Sequence, residues 1–239
     1  MFDCSTLDGD MTLGGAAALA SNVGVQPPLG AHLDITDLSC RLSGLAAVDR
    51  AAMTIHPGEH VALVGANGAG KSTLLRAILG LQPAIGGRVA LDGKVATSRV
   101  DWDERRRLAP WVPQRQAIGR FPLTVDELLA SSGDRDAAGA AAARLGIVQL
   151  GARPLHALSG GQLQRCFLAR AFGAVARGGR LLLADEPTAA LDFATRDTVA
   201  AMLRELPVSV LVATHDKTIA DQCDRVVEMA DGRLREWRA

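Results

Sequence analysis

The chain has 239 residues, of which 48% are hydrophobic, and its formal net charge is zero. This length and composition predict one sizeable domain with a full hydrophobic core. Zero net charge and a 3% aromatic content without tyrosine argue against a nucleic-acid partner, which would need a basic surface or base-stacking rings.

The start of the chain differs in composition from the rest. Residues 1–31 are rich in alanine and glycine and contain the pair Pro27-Pro28 near their end. Such a segment predicts a flexible leader, because it has too few large apolar side chains to build a core. A targeting peptide is the alternative interpretation. Residues 32–239 are predicted to form a single domain.

Short apolar strands and helical segments alternate through the remaining chain. Strand patterns, including their turns, occur at 33–38, 51–55, 61–64, 86–93, 181–184 and 208–213. A final hairpin is predicted to turn at Asp231-Gly232. Helices are predicted at 74–79, 125–130 and 137–145, the last two within a helix-rich region at about 115–170. This order predicts an α/β fold with a parallel core sheet, a β-rich N-terminal part and a helical insertion.

A glycine-rich loop joins the predicted strand at 61–64 to the following helix. Gly65 is followed after four residues by Gly70-Lys71-Ser72, which is the phosphate-loop pattern. Glycines let the backbone approach phosphate oxygens closely, and the helix N-terminus favours negative charge. The predicted nucleotide-binding residues are Gly65, Ala66, Asn67, Gly68, Ala69, Gly70, Lys71, Ser72 and Thr73. Lys71 would reach the β- and γ-phosphates of a nucleotide, and Ser72 would hold Mg²⁺.

Two carboxylates follow the apolar strand at 181–184. Asp185 and Glu186 come directly after four buried-type residues, which predicts that the strand delivers both acids to the nucleotide. Asp185 would orient Mg²⁺, and Glu186 would act as a general base on the attacking water.

Four further motifs occur in the family's order along the chain, and together with the phosphate loop and the two carboxylates they resemble the nucleotide-binding subunit of an ATP-binding-cassette (ABC) transporter. The signature motif is formed by Leu158, Ser159, Gly160, Gly161 and Gln162. The Q-loop matches at Gln114, the D-loop ends at Asp192, and the switch histidine is His215. The resemblance covers residues 33–236. It implies a P-loop NTPase fold with an N-terminal antiparallel β subdomain, and it implies ATP and Mg²⁺ as ligands.

The resemblance also implies roles and partners. Gln114 would contact Mg²⁺ and the attacking water, and His215 would bind the γ-phosphate. Ser159, Gly160 and Gly161 would cap the γ-phosphate of an ATP held by a second copy, so the implied active form is a homodimer with two ATPs. The implied location is the cytoplasmic face of the membrane, where the chain would bind permease subunits and, through them, serve an extracytoplasmic solute-binding protein.

The adenine site departs from the family pattern. An aromatic residue usually ends the first strand there, whereas this chain has Leu42. We expect Leu42 and Val48 to hold the adenine by apolar contact, with Arg41 over its face. The expected consequence is weak discrimination between ATP and GTP.

The segment after Gln114 bears on the cargo. Pro113-Gln-Arg followed by Phe121-Pro-Leu-Thr-Val125 is similar to subunits of zinc and manganese importers. Iron–siderophore or haem importers are close alternatives. A soluble ABC ATPase acting on ribosomes or DNA, and a regulator that binds nucleotide without hydrolysis, are alternatives of other classes. The metal itself is not expected to bind here, because the histidines and the widely spaced Cys4, Cys40, Cys166 and Cys223 show no ligand spacing.

Overall fold

The computed structural model describes residues 29–114 and 122–236. The predicted leader therefore lies outside the described residues, apart from its last three positions. The segment 115–121, on which part of the cargo prediction depends, also lies outside them.

Strands and helices occur in the order that the α/β prediction requires. In the described residues the strands are β1 (Leu33–Leu42), β2 (Leu45–Ile55), β3 (His60–Val64), β4 (Ala84–Leu91), β5 (Lys94–Val95), β6 (Trp111–Val112), β7 (Leu181–Asp185), β8 (Ser209–Ala213), β9 (Arg225–Ala230) and β10 (Arg233–Glu236). The helices are α1 (Lys71–Ile78), α2 (Arg99–Leu108), α3 (Val125–Ala130), α4 (Arg135–Arg144), α5 (Gly160–Ala176), α6 (Phe193–Arg204) and α7 (Lys217–Ala220).

The strands form two sheets. The first is antiparallel and has the order β2-β1-β4-β5. The second has the order β10-β9-β3-β8-β7-β6, and all its neighbouring strands are parallel except the hairpin of β9 and β10. This architecture confirms the predicted fold class, with its parallel core sheet, antiparallel subdomain and helical insertion.

The centre of the parallel sheet is apolar on both faces. Every residue of β7 and β8 is buried, which is the pattern of strands that are covered by other elements on both sides. Leu183 pairs with Leu211, and two residues further Asp185 pairs with Ala213. The carboxyl ends of β7 and β8 therefore meet at one edge of the sheet, and the loops that follow them start side by side.

Two elements differ from the sequence prediction for identifiable reasons. β1 and β2 extend well beyond the predicted 33–38 and 51–55, because Asp37 and Arg50 adopt positive φ angles of 49° and 48° that interrupt the side-chain alternation. Helix α2 was not predicted, since its sequence is almost entirely polar. A capping box between Ser98 and Asp101 starts this helix instead.

Helices α3 and α4 pack against α5. Thr124 and Ser159 each begin a helix with a capping box, to Glu127 and Gln162 respectively. A separate core fills the space between the antiparallel sheet and α1. Within the described residues, no helix combines the length and apolar character that a membrane span requires.

Glycines in two adjacent helices have opposite surroundings. A Cβ on Gly173 of α5 would lie 2.7 Å from the Cβ of Ala138 and 2.7 Å from Oγ of Ser132. A Cβ on Gly139 of α4 would meet nothing within 4 Å. Close contact between α4 and α5 therefore depends on Gly173 and not on Gly139.

We predict opposite effects for alanine at these two glycines. Gly173→Ala should lower the free energy of unfolding by about 1–3 kcal/mol, because the added methyl forces the two helices apart. Gly139→Ala should raise it by up to about 1 kcal/mol, because alanine favours the helix and meets open space. Urea denaturation of both variants measures the difference. Equal effects of the two substitutions would contradict the packing described for Gly173.

Candidate functional site

The loop of residues 65–70 has a backbone that other residues do not readily adopt. Gly65, Gly68 and Gly70 have φ angles of 148°, 84° and 111°, a region that favours glycine. The loop is also packed tightly. A Cβ on Gly65 would collide with the carbonyl oxygen of Met229, and one on Gly70 with that of Ala47. The glycines of the motif thus satisfy both the backbone angles and the space between β9 and β2.

Lys71 begins α1 and turns its side chain back into this loop. It is 6% exposed, and its Nζ donates to the carbonyl oxygens of Gly65 at 2.6 Å and Ala66 at 3.2 Å. A positive charge beside the N-terminus of α1 makes this concave loop suited to an anion. Ser72 follows as the second residue of the same helix.

Asp185 is a buried carboxylate beside the Ser72 hydroxyl. The residue is 1% exposed, and in the described part of the chain neither of its oxygens has a hydrogen-bond partner at standard distance and angle. Burial raises its pKa above the usual aspartate range, although the nearby Ser72 hydroxyl acts in the opposite direction. Two unsatisfied carboxylate oxygens close to a serine hydroxyl are the donor set that a hard cation such as Mg²⁺ prefers, so the residues fit that ion.

Glu186 and His215 form a direct pair across the ends of β7 and β8. His215 Nδ1 lies 2.8 Å from Oε2 of Glu186, and the backbone N–H of His215 donates to the same oxygen at 3.3 Å. Glu186 is 5% exposed and has a φ of 50°, and its N–H donates to the carbonyl oxygen of Ala213. The pair can hold or transfer a proton, and the imidazole, which is 69% exposed, reaches the surface.

A second bond joins the same two loops, and sequence reasoning did not find it. The hydroxyl of Thr188 donates to Oδ2 of Asp216 at 3.0 Å. Asp216 also accepts from the N–H of Thr218 and begins the short helix α7. An aspartate directly before a helix is a capping signal, but nothing in the sequence indicates its contact with Thr188.

The signature residues begin helix α5. Oγ of Ser159 accepts from the N–H of Gln162, whose side chain accepts from the N–H of Ser159 in return. A Cβ on Gly161 would lie 2.7 Å from the carbonyl oxygen of Ala190, whereas one on Gly160 would meet nothing within 4 Å. Gly161 is therefore needed for packing within the chain. Gly160 leaves an open surface at the N-terminal end of α5.

Gln164 fastens this helix to the end of β7. It is 3% exposed, and its Nε2 donates to the carbonyl oxygen of Pro187 at 3.0 Å. Sequence reasoning missed this residue, because a glutamine one turn into a helix usually faces solvent. Its only sequence signal is its place among the apolar positions of the helix.

Gln114 and Asp192 follow or precede different elements of the fold. Gln114 comes after strand β6, and Asp192 comes directly before helix α6. Gln114 is exposed and follows β6, which pairs in parallel with β7, so it leaves the sheet at the same edge as Asp185. Asp192 caps α6 by accepting from the N–H and the hydroxyl of Thr195, and these bonds lower its pKa. Leu158 immediately precedes the cap of α5.

The two predicted adenine contacts, Leu42 and Val48, differ in their exposure. Leu42 is 48% exposed at the end of β1 and remains available to a base. Val48 is 1% exposed and belongs to the core beneath the antiparallel sheet. Its side chain therefore offers almost no surface to a base, and its contact with adenine stays a prediction. Neighbouring side chains of a strand point to opposite faces, and Ala47, beside Gly70, is partly exposed instead.

Comparison with known proteins supports one family. The family model described as "ABC transporter" matches residues 48–189. The chain belongs to the ABC transporter family.

Three curated relatives have different named functions. The cobalamin import ATP-binding protein BtuD of Halobacterium salinarum is 36% identical over 85% of this chain and 54% of its own length. The lipoprotein-releasing system ATP-binding protein LolD of Anaeromyxobacter dehalogenans is 39% identical over 76% and 82%. The Fe(3+) ions import ATP-binding protein FbpC of Streptomyces coelicolor is 36% identical over 85% and 61%. The chain thus spans about half the length of the cobalamin relative.

Solved ABC cassettes share this fold. The dimeric structure of MJ0796, described as a bacterial ABC transporter cassette, has a TM-score of 0.77 at 24% identity and covers 87% of this chain and 99% of its own. The structure of cbiO1 from Clostridium perfringens, described as part of the ABC transporter complex cbiONQ, has a TM-score of 0.68 at 30% identity, with 85% and 86% covered.

We predict that Asp185→Asn stabilises the chain without ligands. At neutral pH the free energy of unfolding should rise by about 0.5–2 kcal/mol, because an amide removes the cost of burying a charge. The raised pKa means that the folded chain binds the proton more tightly than the unfolded chain. Stability of the unsubstituted chain should therefore fall as the pH rises from the ordinary aspartate pKa through the raised value, and the variant should lack this decline.

Asp192→Asn is the matched control for this substitution. The pKa of Asp192 is lowered by its bonds to Thr195, so its charged form contributes stability at neutral pH that is lost on acidification. Its amide variant should be slightly less stable than the unsubstituted chain. Chemical denaturation at several pH values measures both variants, and a destabilised Asp185→Asn would contradict the burial argument.

Proposed function

We propose that the chain is the ATP-hydrolysing motor subunit of a membrane ABC transporter and works at the cytoplasmic face of that membrane. The observation that carries this proposal is the Glu186–His215 pair, placed at the sheet edge that also carries the phosphate loop and Asp185. A chain that only bound a nucleotide would need no buried carboxylate oriented by a histidine.

ATP binding is assigned to the phosphate loop and its surroundings. The loop amides and Lys71 would hold the β- and γ-phosphates, with Leu42 against the adenine. Ser72, Asp185 and Gln114 would hold Mg²⁺, which when bound neutralises charge on the phosphate oxygens. The partly exposed Ala47 replaces Val48 as the second apolar residue near the nucleotide.

Hydrolysis is assigned to Glu186 as the base. One carboxylate oxygen is held by His215, so the side chain is fixed before a water molecule arrives. Glu186 would accept the proton of the attacking water, and His215 would hold the γ-phosphate. The overall reaction converts ATP and water to ADP and phosphate.

The second half of each ATP site is assigned to another copy of the chain. Ser159 and Gly160 are exposed at the N-terminus of α5 and favour an anion. Within one chain this helix end packs on Ala190, whereas the phosphate loop packs on Ala47 and Met229. We therefore assign the two anion-binding surfaces to different ATP molecules, which a homodimer with two ATPs would bring together. Asp192 caps helix α6 and so fixes the end of the loop that leads from β7 to that helix.

Transport requires a membrane partner, for which the structure offers a groove. A cavity of about 1060 Å³ lies between α2 and the start of β6 on one side and the helices α3 and α5 on the other, and Trp111, Pro113, Phe167, Arg170 and Arg177 are among its lining residues. The groove adjoins the strand that leads to Gln114. We assign it to a cytoplasmic segment of the permease, which would in turn be served by a solute-binding protein.

The cargo is proposed to be a metal ion of the zinc or manganese type, on the similarity that begins at Pro113 and ends at Val125. The named functions of the relatives support a second candidate, an importer of cobalamin or of ferric iron, including iron–siderophore or haem complexes. A soluble ABC ATPase acting on ribosomes or DNA remains the alternative from another class.

We predict that the full chain, purified from membranes of its own organism in mild detergent, carries an integral membrane protein with it. Salt should not release this partner as it releases ribosomes or DNA, because large apolar residues such as Trp111 and Phe167 line the groove beside its charged residues. Mass spectrometry of the purified complex identifies the partner. Co-purification with ribosomal proteins in its place would contradict the transporter proposal.

We predict that Glu186→Gln lowers ATP turnover by at least about 100-fold, because the base is lost. ATP binding should be retained, and the variant should accumulate as a closed dimer with ATP and Mg²⁺. Phosphate release and light scattering measure the two effects. Glu205→Gln, at an exposed glutamate paired with Arg144, is the matched control and should keep full turnover. A Glu186→Gln variant that still hydrolyses ATP would contradict the assigned base.

A further inference from the structure

Phe193 is exposed in a chain that has few aromatic residues. It is 78% exposed, which is the largest exposed fraction among the large hydrophobic residues of the described chain. Phe167 and Phe172, by contrast, pack against the helical core. Leaving a phenylalanine ring in water forgoes the free energy of burying it. An exposed ring of this kind indicates a contact with another molecule.

The surroundings of Phe193 are also exposed. It is the first residue of α6, directly after the cap Asp192, and both of its neighbours along the chain are exposed. Ala189 and Ala190 are exposed as well, and the helix becomes buried only from Val199 onwards. The start of α6 therefore presents an apolar surface, formed by Ala189, Ala190, Phe193 and Ala194, that no other part of the described chain covers.

This surface is continuous with the candidate site. The N–H of Ala189 donates to the carbonyl oxygen of Glu186 at 3.2 Å. The carbonyl oxygen of Ala190 is the atom that Gly161 approaches so closely that a Cβ would not fit. Phe193 is three residues from that contact. A partner that covers the signature residues and closes the ATP site would therefore also have the exposed Phe193 ring within reach.

We infer that Phe193 is an anchor of the contact between two copies of this chain and is buried when the two ATP sites close. This inference rests on the proposed two-copy site and adds to it a residue outside the nucleotide motifs. In a two-fold contact the same surface occurs on both sides. Exposed Arg196 and Asp197 on the next turn give that surface charges of both signs, so two copies can meet without repulsion.

The permease fits this surface less well than a second copy does. The groove assigned to the membrane partner is lined by Trp111 and Phe167, whereas no residue of the Phe193 surface lines it. A permease segment over Phe193 would also occupy space next to Glu186 and Gly161, which ATP and the second copy require.

The test uses the full chain with Glu186→Gln, so that ATP is bound and not consumed. Dimer dissociation constants are measured by analytical ultracentrifugation with ATP and Mg²⁺, with and without Phe193→Ala. We expect Phe193→Ala to raise the constant by about tenfold or more, since each dimer loses two buried aromatic anchors. Phe193→Leu should restore part of the affinity. ATP binding by the monomer should not change, because Phe193 belongs to no nucleotide motif.

Val148→Ala is the matched control. Val148 is 64% exposed on the short helical turn after α4 and belongs to none of the nucleotide or signature motifs, so its loss should leave the dimer constant unchanged. Equal dimer dissociation constants for the chains with phenylalanine and with alanine at position 193 would overturn the inference. Loss of a membrane protein from the Phe193→Ala chain would not support it, because the inference concerns a second copy of this chain. A Glu186→Gln chain that stays monomeric with ATP would overturn the two-copy site itself, which separates the two failures.

Discussion

The candidate site depends on one constraint, which is that the buried strand β7 carries two carboxylates at its end. Strand β7 has no exposed residue, and Asp185 and Glu186 at its end are 1% and 5% exposed. Burying charge is expensive unless a partner compensates for it. Glu186 has such a partner in His215, at the end of the neighbouring strand. Asp185 forms no ion pair within the described residues, and burial raises its pKa. The fold thus maintains an unfavourable group at the place where a cation fits.

The elements around this strand end are fixed by contacts that leave little freedom. Thr188 bonds to Asp216, which holds the loops after β7 and β8 together. Gln164 bonds to the carbonyl oxygen of Pro187, and Gly161 packs on Ala190, so the start of α5 is fixed to the same strand end. The positive φ of Glu186 is tolerated in this setting, because the surrounding bonds determine the backbone there.

The sequence predicted features that depend on local chemistry. Glycines in a tight loop and runs of apolar residues leave direct patterns, and these located the phosphate loop and β7. Features that depend on tertiary position leave no such pattern. Val48 was assigned to adenine, although a bulge at Arg50 and the strand register bury it. Gln164 and Phe193 show their environment only in the folded chain, since a buried amide and an exposed ring contradict ordinary residue preferences.

The bond from Gln164 to Pro187 has a genetic consequence. In the proposed dimer, α5 of each copy covers the ATP of the other copy, while β7 of the same copy acts on its own ATP. This bond therefore ties the two sites together through one buried amide. A damaged chain would spoil the site of its intact companion as well as its own. In a cell that makes intact and damaged chains together, most assemblies would be defective, and the damaged allele would behave as dominant.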